Sequence, residues 1–218
     1  MSSLQAQFFH PGDSIPETYL SAHGCEEFFS VRPIPDSIFS VMQGRSYRSD
    51  CTVPRQTLRY LTCLHRDLEG TAWMGEMVLN VRIADVVCDI LRQLYDARYP
   101  IERMRLIDLW DADDERSMRA NNSSSFCFRY VSHTRVISKH GQGLAVDINP
   151  LYNPYHKHLP DSTEVIEPAN ATAYLDRTAD FPYKVQRGDL CHRLFTQHGF
   201  SWGGNWRTRK DYQHFELR

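Results

Sequence analysis

The stretch SKHGQGLAVDINP, residues 138–150, sets His140 and Asp147 seven positions apart with small residues between them. Within GLAVDIN, Leu144, Val146 and Ile148 share one face of an extended chain, and Ala145, Asp147 and Asn149 share the other. An acid in an otherwise apolar strand calls for a reason. If its face is the floor of a cleft, Gly143 and Ala145 leave room beside the carboxylate, and His140 can turn toward the same space. Imidazole and carboxylate are both zinc ligands, and a catalytic zinc site takes three protein ligands and keeps a fourth position for water. His214, in QHFEL near the C-terminal end, is the candidate third ligand. Two histidines and one aspartate leave a net charge of about +1 with Zn2+, which acidifies bound water toward about pH 7.

Such chemistry also needs a base and an oxyanion partner. Asp211 precedes His214 by three residues, so a tight turn brings both to one cleft, where a carboxylate can take a proton and hand it to a leaving amine. Arg129, on the non-Phe face of FCFR, is the candidate cation for a developing oxyanion. Glu216 is a rival base, but two positions past His214 in a strand it is better placed to orient a ligand or pair with a cation. Plainer readings stand beside these. The chain has 10 histidines, so a His–Asp spacing of seven arises easily by chance. A lone arginine is commonly an ion-pair residue, and Asp211 alone suits a turn.

These residues need elements to carry them. In NVRIADVVCDILRQLYDAR (80–98), Ile83, Val86, Val87, Ile90, Leu91 and Leu94 recur at helical spacing, with Asn80 as N-cap and Pro100 as the stop. GDLCHRLFTQHG (188–199) reads as a second helix ending at Gly199. MRLIDLW (104–110), FCFRYV (126–131), GLAVDIN and QHFEL read as strands, and the charge-rich DADDERSMRANNSS (111–124) as a loop, solvated or bordering the site. Residues 1–50 look irregular, broken by Pro11, Pro16, Pro33 and Pro35, and 153–184 read as a long excursion. The expected class is α+β, a small antiparallel sheet flanked by helices. The expected division is an arm or cap over residues 1–70, packed on a domain of residues 71–218.

Composition removes several alternatives. Of 218 residues, 41% are hydrophobic and 12% aromatic, enough for a core, and the formal charge of −2 offers no case for nucleic acid. There is no apolar run long enough for a membrane span. The opening MSSLQAQFFHPGDSIPETYL lacks a basic stretch followed by an apolar one. The expected location is therefore the cytoplasm as the sequence stands, or the cell envelope if the chain is exported or its true start differs. Six cysteines form no CxxC pair; Cys88 and Cys191 read as buried thiols, and a Cys51–Cys63 disulfide is a weak alternative.

The pattern Ser138-x-His140-x-x-Gly143-x-Ala145-x-Asp147, followed by Asp211-x-x-His214, resembles the zinc D-Ala-D-Ala carboxypeptidase family. That family includes VanY-like and VanX-like peptidases and the L-alanyl-D-glutamate endopeptidases of phage lysins, and shares its fold with the hedgehog signalling domain. DYQHFE (211–216), SMRANNSSSFCFR (117–129), DINPLYNPY (147–155) and WGGNW (202–206) resemble the lysin-type branch, and the likeness extends over about residues 70–218. It implies a hedgehog/DD-peptidase-like fold and a zinc peptidase acting on peptidoglycan or its peptide fragments. In that reading His140, Asp147 and His214 bind Zn2+, Asp211 is general base and then acid, and Arg129 aligns with the arginine that polarises the scissile carbonyl. The carboxypeptidase and dipeptidase branches carry Glu where Asp211 stands, which leaves the bond cut open. Ser138 is expected to support the ligand loop or border the substrate. Asn121, Asn122 and Ser124 are expected on the substrate side, and Trp206, Trp202 and Tyr152 as a wall for sugar or peptide, with core packing an equal reading for Trp202. The competing functions are a hedgehog-like zinc-containing binding module without catalysis, and a structural domain with a vestigial site.

Overall fold

The computed structural model describes residues 9–131 and 134–217. The first eight residues of the expected arm lie outside the described residues. From the N-terminal side, β1 (Ser14–Ile15), α1 (Glu17–His23), β2 (Ser30–Pro33) and α2 (Asp36–Met42) lead into a hairpin of β3 (Leu58–Arg66) and β4 (Ala72–Asn80). These strands form an antiparallel sheet in the order β1-β4-β3-β2, with β3 and β4 paired over their whole length from Leu58↔Asn80 to Arg66↔Ala72. The division expected near residue 70 falls in this hairpin's turn, between two strands that share one ladder.

The hairpin escapes an alternation search because both of its faces are covered. Leu61, Cys63, Met77 and Leu79 point into the largest core cluster, with α3 (Ala84–Asp96). Leu58, Tyr60 and Val78 belong to a second cluster with Ile34, Phe126 and Phe128, and Leu64 and Ala72 to a third with Ile15, Leu20 and Phe28. A strand buried on both sides reads as a near-continuous apolar run and shows no period of two.

α3 buries Val87, Ile90, Leu91 and Leu94, the stripe expected from the spacing. It starts three residues later than expected, because Asn80 is the last rung of β4; the Asn80 side chain instead accepts from Arg82 N–H and donates to the Gln142 carbonyl. β5 (Arg103–Met104) and β6 (Asn122–Ser123) make a short parallel pair. MRLIDLW is not a strand: after Met104, Ile107–Trp110 form a 3-10 helix, in which the buried Asp108 carboxylate accepts from Ser46 N–H at 3.0 Å and Ser46 Oγ at 2.9 Å. The charge-rich loop contains α4 (Asp114–Arg119), N-capped by Asp113 through Arg116 N–H at 3.0 Å. FCFRYV is extended without a ladder, since its N–H groups go to separate segments: Phe126 to Val78, Cys127 to His140 and Phe128 to Ser46.

The C-terminal half is built from β7 (Ala145–Asp147), β8 (Tyr155–His158), β9 (Glu164–Glu167), α5 (Leu190–Gln197), β10 (Phe200–Trp202), β11 (Lys210–Asp211) and β12 (His214–Leu217). Two antiparallel sheets result, β10-β12-β7 and β11-β8-β9. The excursion at 153–184 thus supplies two strands. Leu144, Val146, Ile148 and Phe215 enter the same core as α3 and α5, and the Phe195 and Phe215 rings stack at 4.4 Å. α5 is capped by Asp189 and followed by Gly199 at φ 86°. The class is α+β with several small antiparallel sheets. All six cysteines are free, so Cys51 and Cys63 are not bridged. Among the described residues no helix is long and apolar enough to cross a membrane.

Candidate metal centre

Register alone brings two of the ligands together. On the antiparallel pair β7–β12, Asp147 lies directly opposite His214, while Val146 and Phe215 on the next rung face the core. Directly opposed residues project to one face with Cβ atoms about 5 Å apart. His140 arrives from the turn before β7. That turn is held by Ser138, whose Oγ accepts from Gly141 N–H at 2.9 Å, and by Gly143 N–H donating to the His140 carbonyl. Ser138 therefore shapes the ligand loop from a half-buried position. Gly143 is small for a different reason from the one expected: at φ 68°, a Cβ there would lie 2.8 Å from Asn80 N, so it admits the end of β4 and not a ligand.

The three ligand atoms face one another across short gaps. His140 Nε2 is 3.1 Å from Asp147 Oδ2, His214 Nδ1 is 3.0 Å from Asp147 Oδ1, and the two ring nitrogens are 3.1 Å apart. All three residues are buried. The outward nitrogens are pinned: His140 Nδ1 donates to the Ser125 carbonyl at 2.7 Å, and His214 Nε2 donates to Glu216 Oε2 at 3.0 Å. A carbonyl and a carboxylate only accept, so these bonds put the protons on the outer nitrogens of neutral rings. Two imidazole lone pairs and a carboxylate then converge, which needs a positive charge between them. Around a tetrahedral ion with bonds of about 2.0–2.1 Å, neighbouring ligands sit roughly 3.3 Å apart, close to the spacing here. The donor set therefore fits a metal ion. Without one, a proton takes that place. Burial opposes a charged His214, but hydrogen bonds to Asp147 and Glu216 prevail and push its pKa up to about 10. Burial likewise opposes ionised Asp147, yet His140 and His214 hold its carboxyl well below the usual carboxylate range.

Asp211 borders this centre from β11. One of its oxygens, Oδ1, is shut off from solvent with no hydrogen-bond partner in the structure. Burial, reinforced by the carboxylates of Asp147, Glu167 and Asp114 and opposed by His214, pushes its pKa up to about 8. Gly203 of WGGNW makes this placement possible, because a Cβ there would come 2.5 Å from the Asp211 carbonyl oxygen and 2.7 Å from its Cβ. Arg129 donates to Asp114 Oδ2 at 2.9 Å. Burial opposes its charge, and the carboxylates of Asp114 and Asp147 hold the guanidinium protonated. Trp206 is half-buried with its ring 5.4 Å from the His214 ring and the Arg209 guanidinium 4.4 Å from its own centroid.

Other expected substrate residues are turned inward. Asn122 is fully buried: its amide nitrogen donates to the Arg105 carbonyl and Ser117 Oγ, and its oxygen accepts from Arg105 N–H. Asn121 is likewise consumed, donating to Glu102 Oε2 and accepting from Leu151 N–H. Both tie α4 and β6 to the elements behind the centre. Trp202 is a core residue, 4% exposed, whose Nε1 donates to the Tyr212 carbonyl. Tyr152 packs against Tyr174 and Tyr183. Conversely, Glu167 and Asp114, which act on Asp211, carried no sequence signal beyond the charge-rich text around Asp114.

The segment bearing the three ligands and Asp211 can also be compared with known families. Residues 132–217 match the family model of D-alanyl-D-alanine carboxypeptidase. The matched segment holds His140, Asp147, Asp211 and His214, while Arg129 and the four-stranded sheet lie before it. No curated protein and no solved structure matches the chain.

Proposed function

We propose that the chain is a zinc-dependent peptidase hydrolysing peptidoglycan stem peptides, of the D-Ala-D-Ala carboxypeptidase or L-Ala-D-Glu endopeptidase type, on a hedgehog/DD-peptidase-like fold. The carrying observation is the convergence of His140 Nε2, Asp147 and His214 Nδ1 beside a buried, unpartnered carboxylate oxygen of Asp211. The match of residues 132–217 to a peptidase family supports it. Zinc held by the three ligands would supply the Lewis acidity that polarises a carbonyl and acidifies water. The chain's own residues do the rest. Asp211, with its pKa raised to about 8, is suited to hold a proton at its carboxylate and pass it to the leaving amine. Arg129 presents N–H donors for the negative charge that grows on the scissile carbonyl oxygen, while Asp114 fixes its direction. Trp206 forms an apolar wall beside His214, suited to a peptide or sugar. Ser138 and Asn122 act at a remove, through the ligand loop and the packing of β6.

The test is mass spectrometry of products from defined stem peptides incubated with zinc-loaded protein. Loss of terminal D-Ala identifies a carboxypeptidase, and a cut between L-Ala and D-Glu an endopeptidase. A protein that binds zinc at this centre and cleaves none of these peptides would favour the hedgehog-like binding module.

A further inference from the structure

The β11-β8-β9 sheet has two chemically different faces. Residues directly opposed in an antiparallel sheet project to the same side, and successive residues alternate. Tyr155 is opposed by Asp211 on one neighbour and Glu167 on the other, so these three share the face toward the metal centre. His156 and His158 therefore project to the back, and Glu164, opposed to His158, joins them. There the two imidazole rings lie 4.6 Å apart. Glu164 Oε1 is 3.1 Å from His158 Nδ1 and 3.5 Å from His156 Nε2. One ligand atom from each residue falls within 4.8 Å of the others. His156 Nε2 is closed to solvent and makes no hydrogen bond, so it is a buried nitrogen aimed at this cluster with nothing to satisfy it.

From this we infer that His156, His158 and Glu164 form a second zinc site, separate from the centre at His214. The donor set, two imidazoles and a carboxylate, is one that zinc accepts, with a solvent molecule completing four ligands. Gaps of 3.1 and 3.5 Å bracket the roughly 3.3 Å edge of a zinc tetrahedron. The strand spacing does the preorganising. His156 and His158 are i and i+2 on one strand, and Glu164 is across the ladder on the last rung before the hairpin's turn. The turn beyond is tied by Asp161 Oδ1, which accepts from Thr163 N–H and Thr163 Oγ1. A bound ion would clamp β8 to β9 and so steady the strands that carry Tyr155 and Glu167 beside Asp211. His158 and Glu164 are largely solvent-exposed, 70% and 43% at the side chain, so this site binds more weakly than the buried one.

The experiment is zinc titration of the metal-stripped full chain against a chromophoric chelator, on the wild type and on His158→Ala, Glu164→Gln and His214→Ala. The wild type should take up two ions of different affinity. His158→Ala and Glu164→Gln should each lose the weaker ion and keep the tighter, with unchanged circular dichroism, since both side chains are exposed. His214→Ala should lose the tighter ion and keep the weaker, so the hairpin site is read even where the peptidase reading fails. A His158→Ala or Glu164→Gln protein that binds as many ions as the wild type overturns the assignment.

Discussion

Among the described residues stand two His–His–carboxylate clusters, built from the same groups and differing in what surrounds them. At His140, Asp147 and His214 the ligand atoms lie 3.0–3.1 Å apart, all three residues are buried, and each ring has its outer nitrogen held by Ser125 or Glu216. At His156, His158 and Glu164 the gaps are 3.1 and 3.5 Å, and two of the three side chains lie open to water. Ligand type and strand register suffice to assemble either set. What separates them is desolvation and the second layer of hydrogen bonds, which fix ring orientation and forbid the loose alternatives open to exposed side chains. The first cluster has the half-buried Asp211 beside it, with its Oδ1 closed to solvent and unclaimed. A third histidine sharpens the contrast. His65 is as buried as His214, but its Nδ1 meets only the Ile101 carbonyl, 2.7 Å away. Burial there prevails over that bond and lowers its pKa to about 4, whereas carboxylates drive His214 the other way.

The largest effect expected is from His214→Ala, which should reduce zinc at the buried centre to background and abolish peptide hydrolysis, as read by metal analysis and product mass spectrometry. A variant that keeps both would collapse the distinction between the clusters. Next, Asp211→Ala should keep the zinc and lower turnover by about 10²–10⁴-fold, the usual contribution of a positioned acid–base. Equal losses of zinc and turnover would make Asp211 a ligand-supporting residue.

His65 provides a stability test. Its folded pKa of about 4 lies below the ordinary 6.5, so between those values the native protein binds fewer protons than the unfolded chain. The contribution is complete above pH 6.5 and is lost as pH falls toward 4, by about 3 kcal/mol at most. Urea unfolding across that window should show a shallower pH slope for His65→Gln than for the wild type. The smallest effect is expected from Glu216→Ala, which frees the outer nitrogen of His214. Zinc affinity at the buried centre should fall about 10–100-fold while the hairpin ion is unaffected, as competition titration would show. No change in affinity would mean that burial alone, without the carboxylate, sets the difference between the two clusters.

The alternation of Leu144, Val146 and Ile148 against Asp147, the stripe of α3, the stop of α5 at Gly199, and the candidates His140, Asp147, Asp211 and His214 were legible in the sequence. Each depends on local periodicity or on a short motif, and a strand or helix imposes that periodicity wherever it lies. The β3–β4 hairpin was not legible, because layers on both faces erase its alternation, and the 3-10 turn at Ile107–Trp110 follows from where Ser46 sits, 62 residues away. Sequence order likewise could not turn Asn122 inward or place Glu167 and Asp114 beside Asp211, for those contacts join segments far apart in the chain. Residue types and spacing determined which groups can bind a metal and move a proton. Pairing register and burial decided which ones meet, because the distance between side chains on different strands and the water around them are properties of the folded chain alone.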